Sequence, residues 1–303
     1  MLAKTAEDVQ GKVVDGLFAL LFTPAAFFWL AGAVIWLYAC DGRYVTLELA
    51  AENLSTAKKL FFGVGALAVV VLSGAAYEMI ATWFLQRLLG YWWPFDALGA
   101  PSRAFLAWRR RCASKPREKP RRGVAGLQND AATEATLRYV PPSDTLPTSF
   151  GCALAAADQR ILNNYGLSSS YVWPALQLVL SDAARTAVTA ARTDIEASGR
   201  LVFWALASLG WLALAGSATE RACVTAGALV VAVFGYVRLV QQGRTYADAY
   251  EAAFQVGREA LYKAMRVSLP ATTADEFAAG QDLTKIVYRG TPAKPLTYAV
   301  EKK

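Results

Sequence analysis

The sequence contains no histidine. That absence removes Ser-His-Asp and Cys-His nucleophile systems, His-ligated zinc and haem, and the usual general base near neutral pH. Cysteine is sparse, and Cys40, Cys112, Cys152 and Cys223 form no CxxC pair, so no structural zinc site is spelled out. Neither GxxxxGK[ST] nor a strand–GxGxxG–helix unit is present, which takes away the usual signatures of nucleotide chemistry. Charged residues are scarce too, at 18% against about 25% in ordinary soluble domains. What remains supplies no catalytic set, no cofactor site and no metal-ligand set, and the chain reads as non-enzymatic.

Apolar residues take the place of charge. They make up 55% of the chain, with nine Trp, thirteen Tyr and fourteen Phe. Four runs are long for a soluble core: 16–40 and 60–77 (prolonged toward 85 beyond Glu78), then 201–219 and 222–237. About 20 apolar residues in a helix cross a ~30 Å hydrocarbon layer, so each run is long enough or nearly so. The first is read as a retained helix. It exceeds the ~7–15-residue apolar region of a signal peptide, and three acids stand beside two lysines in the fifteen residues before it. The expected fold is an all-α membrane protein with four transmembrane helices and helical cytoplasmic extensions.

Orientation follows from Lys and Arg near the span ends. Residues 86–200, between the second and third runs, hold fifteen basic and nine acidic residues; 41–59 hold three of each. The basic segment is therefore placed in the cytoplasm, with both termini on the same side. Its densest part is "AWRRRCASKPREKPRRG", where Arg109, Arg110, Arg111, Lys115, Arg117, Lys119, Arg121 and Arg122 stand around one acid, Glu118. Each such charge near an anionic leaflet contributes about 1 kcal/mol, so lipid headgroups are its expected partner. Nucleic acid is not, because prolines and a single Trp108 make no ordered base-reading face.

Five segments result. Residues 1–100 carry spans at about 16–40 and 60–85. A basic, Pro-rich linker covers 101–148 and a cytoplasmic helical region 149–200. The last two spans occupy 201–240, and a helical stalk and tail cover 241–303. Thr148 or Ser149 caps a helix over roughly 150–164 that Gly166 ends. Trp173-Pro174 opens a short apolar piece, and Ser181 or Asp182 caps the next helix. In that helix Ala184, Val188, Ala191, Ile195, Ser198 and Val202 share one face. Tyr246, Tyr250, Phe254, Gly257, Leu261 and Met265 form a similar stripe beyond the fourth run, with Glu259 and Lys263 paired on the polar side. Such stripes serve either a monomer core or subunit packing, and spacing does not separate the two. "TADEFAAGQDLTKIVYRG" reads as a capped helix stopped by Gly290.

The segments 150–185 and 254–290, with "LLGYWWP" at 88–94, resemble a group of uncharacterised integral membrane proteins found mainly in actinobacteria. In that group a G-N-x-L-x-A-A-E helix precedes Y-G-L and W-P, and an arginine-rich L-Y-x-A-L helix precedes a C-terminal R-G. Here Cys152 stands at the Asn position and Asp158 at the Glu position. The resemblance touches about a third of the chain through scattered short motifs. It implies a bacterial plasma-membrane protein and transfers no site.

A charge inside a span-like helix is a functional candidate by default. Glu78 lies about 27 Å along its helix from Leu60, and Arg238 about 24 Å from Ala222, at similar depths near the inner face. They are the candidate inner-mouth pair, against the plainer alternative of two separately solvated charges. Cys40 and Cys223 fall at the outer, oxidising ends of their spans and are the candidate disulfide, which requires Cα atoms within ~7 Å. Small residues at Gly63 and Gly65, Ala213 and Ser217, Ala222 and Ala226, and Ala228 and Ala232 suit close helix packing within one chain. The expected function is a homo-oligomeric membrane assembly, with a channel or pore gated by the cytoplasmic helices as the first reading. The alternative is a non-enzymatic scaffold or adaptor that anchors an unidentified cytoplasmic partner.

Overall fold

The computed structural model describes residues 23–39, 55–90 and 146–290, and every regular element among them is helical. In chain order these are α1 (Pro24–Ala39), α2 (Thr56–Leu89), α3 (Ser149–Tyr165), α4 (Ser169–Val179), α5 (Asp182–Ala207), a 3-10 turn (Ser208–Ala213), α6 (Ala218–Ala264) and α7 (Thr273–Arg289). Cys40, Cys112 and the whole basic run from Arg109 to Arg122 lie outside the described residues. The chain divides into two compact units. One takes residues up to 85 and 196–238; the other takes 86–195 and residues from 239 onward.

Among the described residues, two helices are long and apolar enough to cross a membrane, α2 and α6. α1 is shorter, with 16 residues. The apolar run 201–219 does not form one helix. α5 ends at Ala207, a 3-10 turn follows to Ala213, and α6 begins at Ala218. Ser208 donates its hydroxyl to the Trp204 carbonyl at 2.8 Å, the back-bonding that loosens an α-helical ladder. Trp211 donates its indole N–H to the Phe28 carbonyl at 3.2 Å, tying the tightened turn to α1. The start of α6 is a capping box. Ser217 Oγ accepts from the Glu220 N–H, and Glu220 Oε2 accepts from the Gly216 and Ser217 N–H groups.

Neighbouring segments of the first unit alternate in direction. Leu85 of α2 meets Gly199 of α5, Tyr77 meets Phe203, and Val70 packs with Trp204, so α5 runs antiparallel to α2. α1 also opposes α2, with Ala25 against Tyr77 and Trp29 donating to Ser73 Oγ at 3.1 Å. Gly235 of α6 lies against Leu201 and Val202 of α5. An aromatic cluster of Phe28, Trp29, Phe203, Trp204 and Trp211 fills the interior, with centroids about 5–6 Å apart.

In the second unit, α3 is built as its sequence foretells. Thr148 Oγ1 accepts from the Gly151 N–H at 3.0 Å, and the same hydroxyl donates to the Leu89 carbonyl at 2.9 Å. Gly166 ends the helix at φ +66°, where only glycine is at ease. α7 presses directly onto this C-terminus: a Cβ at Gly280 would stand 1.8 Å from the Tyr165 carbonyl oxygen. α7 is capped by Thr272, which accepts from the Asp275 N–H, and ended by Gly290 at φ +70°.

Ile161, Leu167, Val172, Leu176, Phe254 and Leu283 form the fully buried centre, with the α6 stripe and Val188 of α5 around them. All of Val188, Ala191, Ile195, Ser198 and Val202 are buried, so the α5 stripe is an interior face of the monomer. Lys263 and Glu259 pair at 2.6 Å. One sequence expectation is corrected here. Pro174 lies inside α4, which already begins at Ser169. Ser169 Oγ donates to Asp158 Oδ1 at 2.6 Å, and that tie holds the first turn in place.

Candidate functional site

The charged site in the first unit grows from two helix positions at matching boundaries. Glu78 follows the apolar run of α2, and Arg200 precedes the apolar stretch of α5. Because α2 and α5 are antiparallel, the two boundaries meet. Arg200 Nη2 donates to Glu78 Oε1, and its guanidinium lies 5.8 Å from the centre of the Tyr77 ring. Glycine at position 199 permits the approach, since a Cβ there would fall 2.6 Å from Leu85 Cδ2. The pair is open to its surroundings, with side chains 38% and 56% exposed for Arg200 and Glu78.

This arrangement corrects the pairing read from the sequence. Glu78 is held by Arg200 and not by Arg238, which is exposed and has no ion pair among the described residues. Depth along a helix placed Glu78 and Arg238 at one level but said nothing about which helix faces α2. The signal that was present is the symmetry of the two boundaries, an acid closing one apolar run and a base opening the next.

Beside the pair is a cleft of about 160 Å³ lined by Thr23, Ala25, Val70, Val71, Gly74, Glu78, Arg200 and Trp204. Two buried donors in its wall, Arg200 Nε and the Trp204 indole N–H, have no hydrogen-bond partner among the described residues. Chemically the cleft is lined by one anion, one cation, the Trp204 ring and apolar side chains of α1 and α2. That set suits binding of a group with separated charges.

A second polar cluster is enclosed in the other unit. Asp158 sits between Ser169 and the aromatic stripe of α6, and burial pushes its carboxyl above the usual range despite the Ser169 hydrogen bond. Burial likewise pushes the Tyr246 and Tyr250 phenols up, the nearby Asp158 charge adding to the effect at Tyr250. Arg160 and Glu251 pair at 2.7 Å with little exposure. Arg258 spans from Glu276 to the face of Tyr165, its guanidinium 4.7 Å from the ring centre. These groups stitch α3, α4, α6 and α7 together.

Among the described residues, no group of three or more His, Cys, Asp or Glu is placed to hold a metal ion. Cys223 is exposed near the start of α6, while its candidate partner Cys40 lies outside the described residues. Ala228 and Ala232 are buried, as close packing within the chain requires, whereas Gly63 and Gly65 have no neighbouring atom within 4 Å. No family model, no curated protein and no solved structure matches this chain.

Proposed function

We propose that the chain is a multi-span integral membrane protein of the bacterial plasma membrane, non-enzymatic, that assembles from several copies into a membrane-anchored helical platform. In this reading the chain crosses four times, with both termini and the second unit in the cytoplasm. The observation that carries it is the outward apolar surface of the first unit. Only 6% of the most apolar window of α2 is buried within the chain, and Leu60, Phe61, Leu72 and Met79 are each more than 60% exposed. Surface of this kind needs lipid or another copy against it. Alternating α1, α2, α5 and α6 suit successive crossings, and the bacterial origin rests on the motif resemblance.

Self-assembly draws support from exposed apolar side chains in the second unit as well, Leu178 at 83% and Val256 at 72%. A gated pore is the second reading. The unbroken 47-residue α6 favours it, since a helix of about 70 Å extends well past a ~30 Å layer. The platform is preferred because the long apolar stretches of α2 and α6 turn side chains such as Leu60, Phe61, Val230 and Phe234 outward, a lining that lipid or a neighbouring helix accepts and water does not.

Topology is tested with the natural thiols. In intact cells, a membrane-impermeant maleimide labels a chain retaining only Cys223 and spares one retaining only Cys152. The reverse labelling, or recovery of the chain in the soluble fraction after lysis, overturns the scheme. Purified protein in detergent is expected to run as a single multimer by light scattering. Ion flux from liposomes loaded with that multimer would replace the platform by the pore.

A further inference from the structure

The cleft beside Glu78 and Arg200 has a charge layout that its own residues leave incomplete. Arg200 gives one N–H to Glu78 and keeps Nε without a partner among the described residues. Trp204, one helical turn further along α5 and 7% exposed, lines the same cleft with its indole N–H equally unused. A buried donor left without an acceptor costs about 1–3 kcal/mol. Two of them on residues one helical turn apart, both lining one cleft, therefore mark a place where an oxygen-rich group is stabilised. Both atoms belong to side chains that line the cleft. Glu78, more than half exposed, faces the same opening and offers a carboxylate to a cation.

We infer that this cleft holds the headgroup of one phospholipid carrying a phosphate and a primary amine, with the phosphate on Arg200 and Trp204 and the ammonium on Glu78. A phosphate and an amine separated by two carbons match an Arg–Glu pair that is already in contact, because each end finds its opposite charge without breaking the pair. A purely anionic headgroup would leave Glu78 facing negative charge. The volume, about 160 Å³, suits a headgroup rather than a whole lipid. Val70, Val71 and Gly74 continue from the charges along α2, whose exposed Val71 and Leu72 offer a track for an acyl chain. The inference rests on the first unit lying in a bilayer.

The test uses the full chain, extracted from membranes, delipidated in detergent and offered equal amounts of phosphatidylethanolamine and phosphatidylglycerol, with bound lipid counted by native mass spectrometry. One phosphatidylethanolamine per chain is expected, preferred about tenfold, the equivalent of one charge-assisted hydrogen bond. Glu78→Gln should abolish the preference while phosphate-dependent retention persists. Arg200→Gln should lose both lipids. Trp204→Phe keeps the ring and its packing, so a several-fold loss with unchanged helical circular dichroism separates binding from folding. Arg238→Gln, an exposed cation of the same unit, should change nothing. Equal retention of the two lipids by the unaltered chain, or full retention by both Arg200→Gln and Trp204→Phe, overturns the site. Displacement by soluble phosphoethanolamine at the same concentration overturns the lipid as occupant. A chain that never enters the membrane fraction refutes the membrane reading itself, whereas a membrane-bound chain without headgroup preference refutes only this cleft.

Discussion

The two units spend the same kinds of residue in opposite ways. The second gathers Ile161, Leu167, Leu176, Phe254, Leu261 and Leu283 into an interior where each is at most 1% exposed. The first clusters Ala25, Tyr77 and Trp204 as its largest buried apolar group among the described residues, and Leu60, Phe61, Val230 and Phe234 are turned outward. Polar groups follow the inverse pattern. In the second unit ion pairs such as Arg160–Glu251 are folded in among helices, while the first unit's Glu78–Arg200 pair is open. A unit stable in water must put its apolar surface inside; one whose surroundings are themselves apolar has no such need. Packing in the second unit should therefore be far less forgiving of substitution.

The sharpest way to break that comparison is at glycine. Gly280→Ala in the second unit forces a Cβ to within 1.8 Å of the Tyr165 carbonyl, and should cost more than about 3 kcal/mol. Gly63→Ala in the first unit meets no atom within 4 Å, and should shift stability by less than about 0.5 kcal/mol. Thermal melts of the purified protein, followed by circular dichroism, compare them directly. Equal effects would remove the distinction between the units.

Next in size is the charge contrast. Glu251→Ala leaves Arg160 enclosed without its acid and should cost about 2–3 kcal/mol, short of the ~3–5 of a fully buried pair. Glu78→Ala in the open pair should cost under about 1 kcal/mol, and the Glu78→Arg/Arg200→Glu double exchange should recover most of it. Denaturant titrations followed by circular dichroism would read the larger effect and barely register the smaller one.

The smallest effect is a pH dependence confined to the second unit. Burial raises the Asp158 carboxyl, so the folded chain holds that proton more tightly than the unfolded chain does. Its contribution to stability is greatest below the ordinary Asp range and declines as pH rises from that range through the raised folded value. Asp158→Asn, which still accepts from Ser169 through its amide oxygen, should raise the melting temperature near neutrality by about 2 °C and flatten this decline. An unchanged pH profile in the variant would assign the dependence to another group.

Helix ends were legible in the sequence because their signals are local. Thr148 with Gly166 and Thr272 with Gly290 bracket α3 and α7 as cap chemistry demands. The α5 stripe was legible because one period governs burial along an entire helix. Three features were not, and each depends on a contact distant in sequence. Arg200 was hidden because Gly199, by lacking a side chain, decides which helix approaches α2. The break after Ala207 was hidden because Trp211 settles onto the Phe28 carbonyl. The start of α4 at Ser169 was hidden because Asp158, on the preceding helix, holds it.

The meeting of Gly166 and Gly280 has a consequence for recognising this architecture elsewhere. Each glycine lies against the other helix's backbone, Gly166 beside the Phe277 carbonyl and Gly280 beside that of Tyr165. Backbone cannot be trimmed to make room, so no substitution at one position compensates for a side chain at the other. Core residues such as Leu176 or Phe254 can drift in concert while their total volume is kept. The two glycines cannot. A distant chain that has replaced most of its interior but shares this unit should still carry both, one ending a helix and one in the middle of another, and that pair is the mark by which to find it.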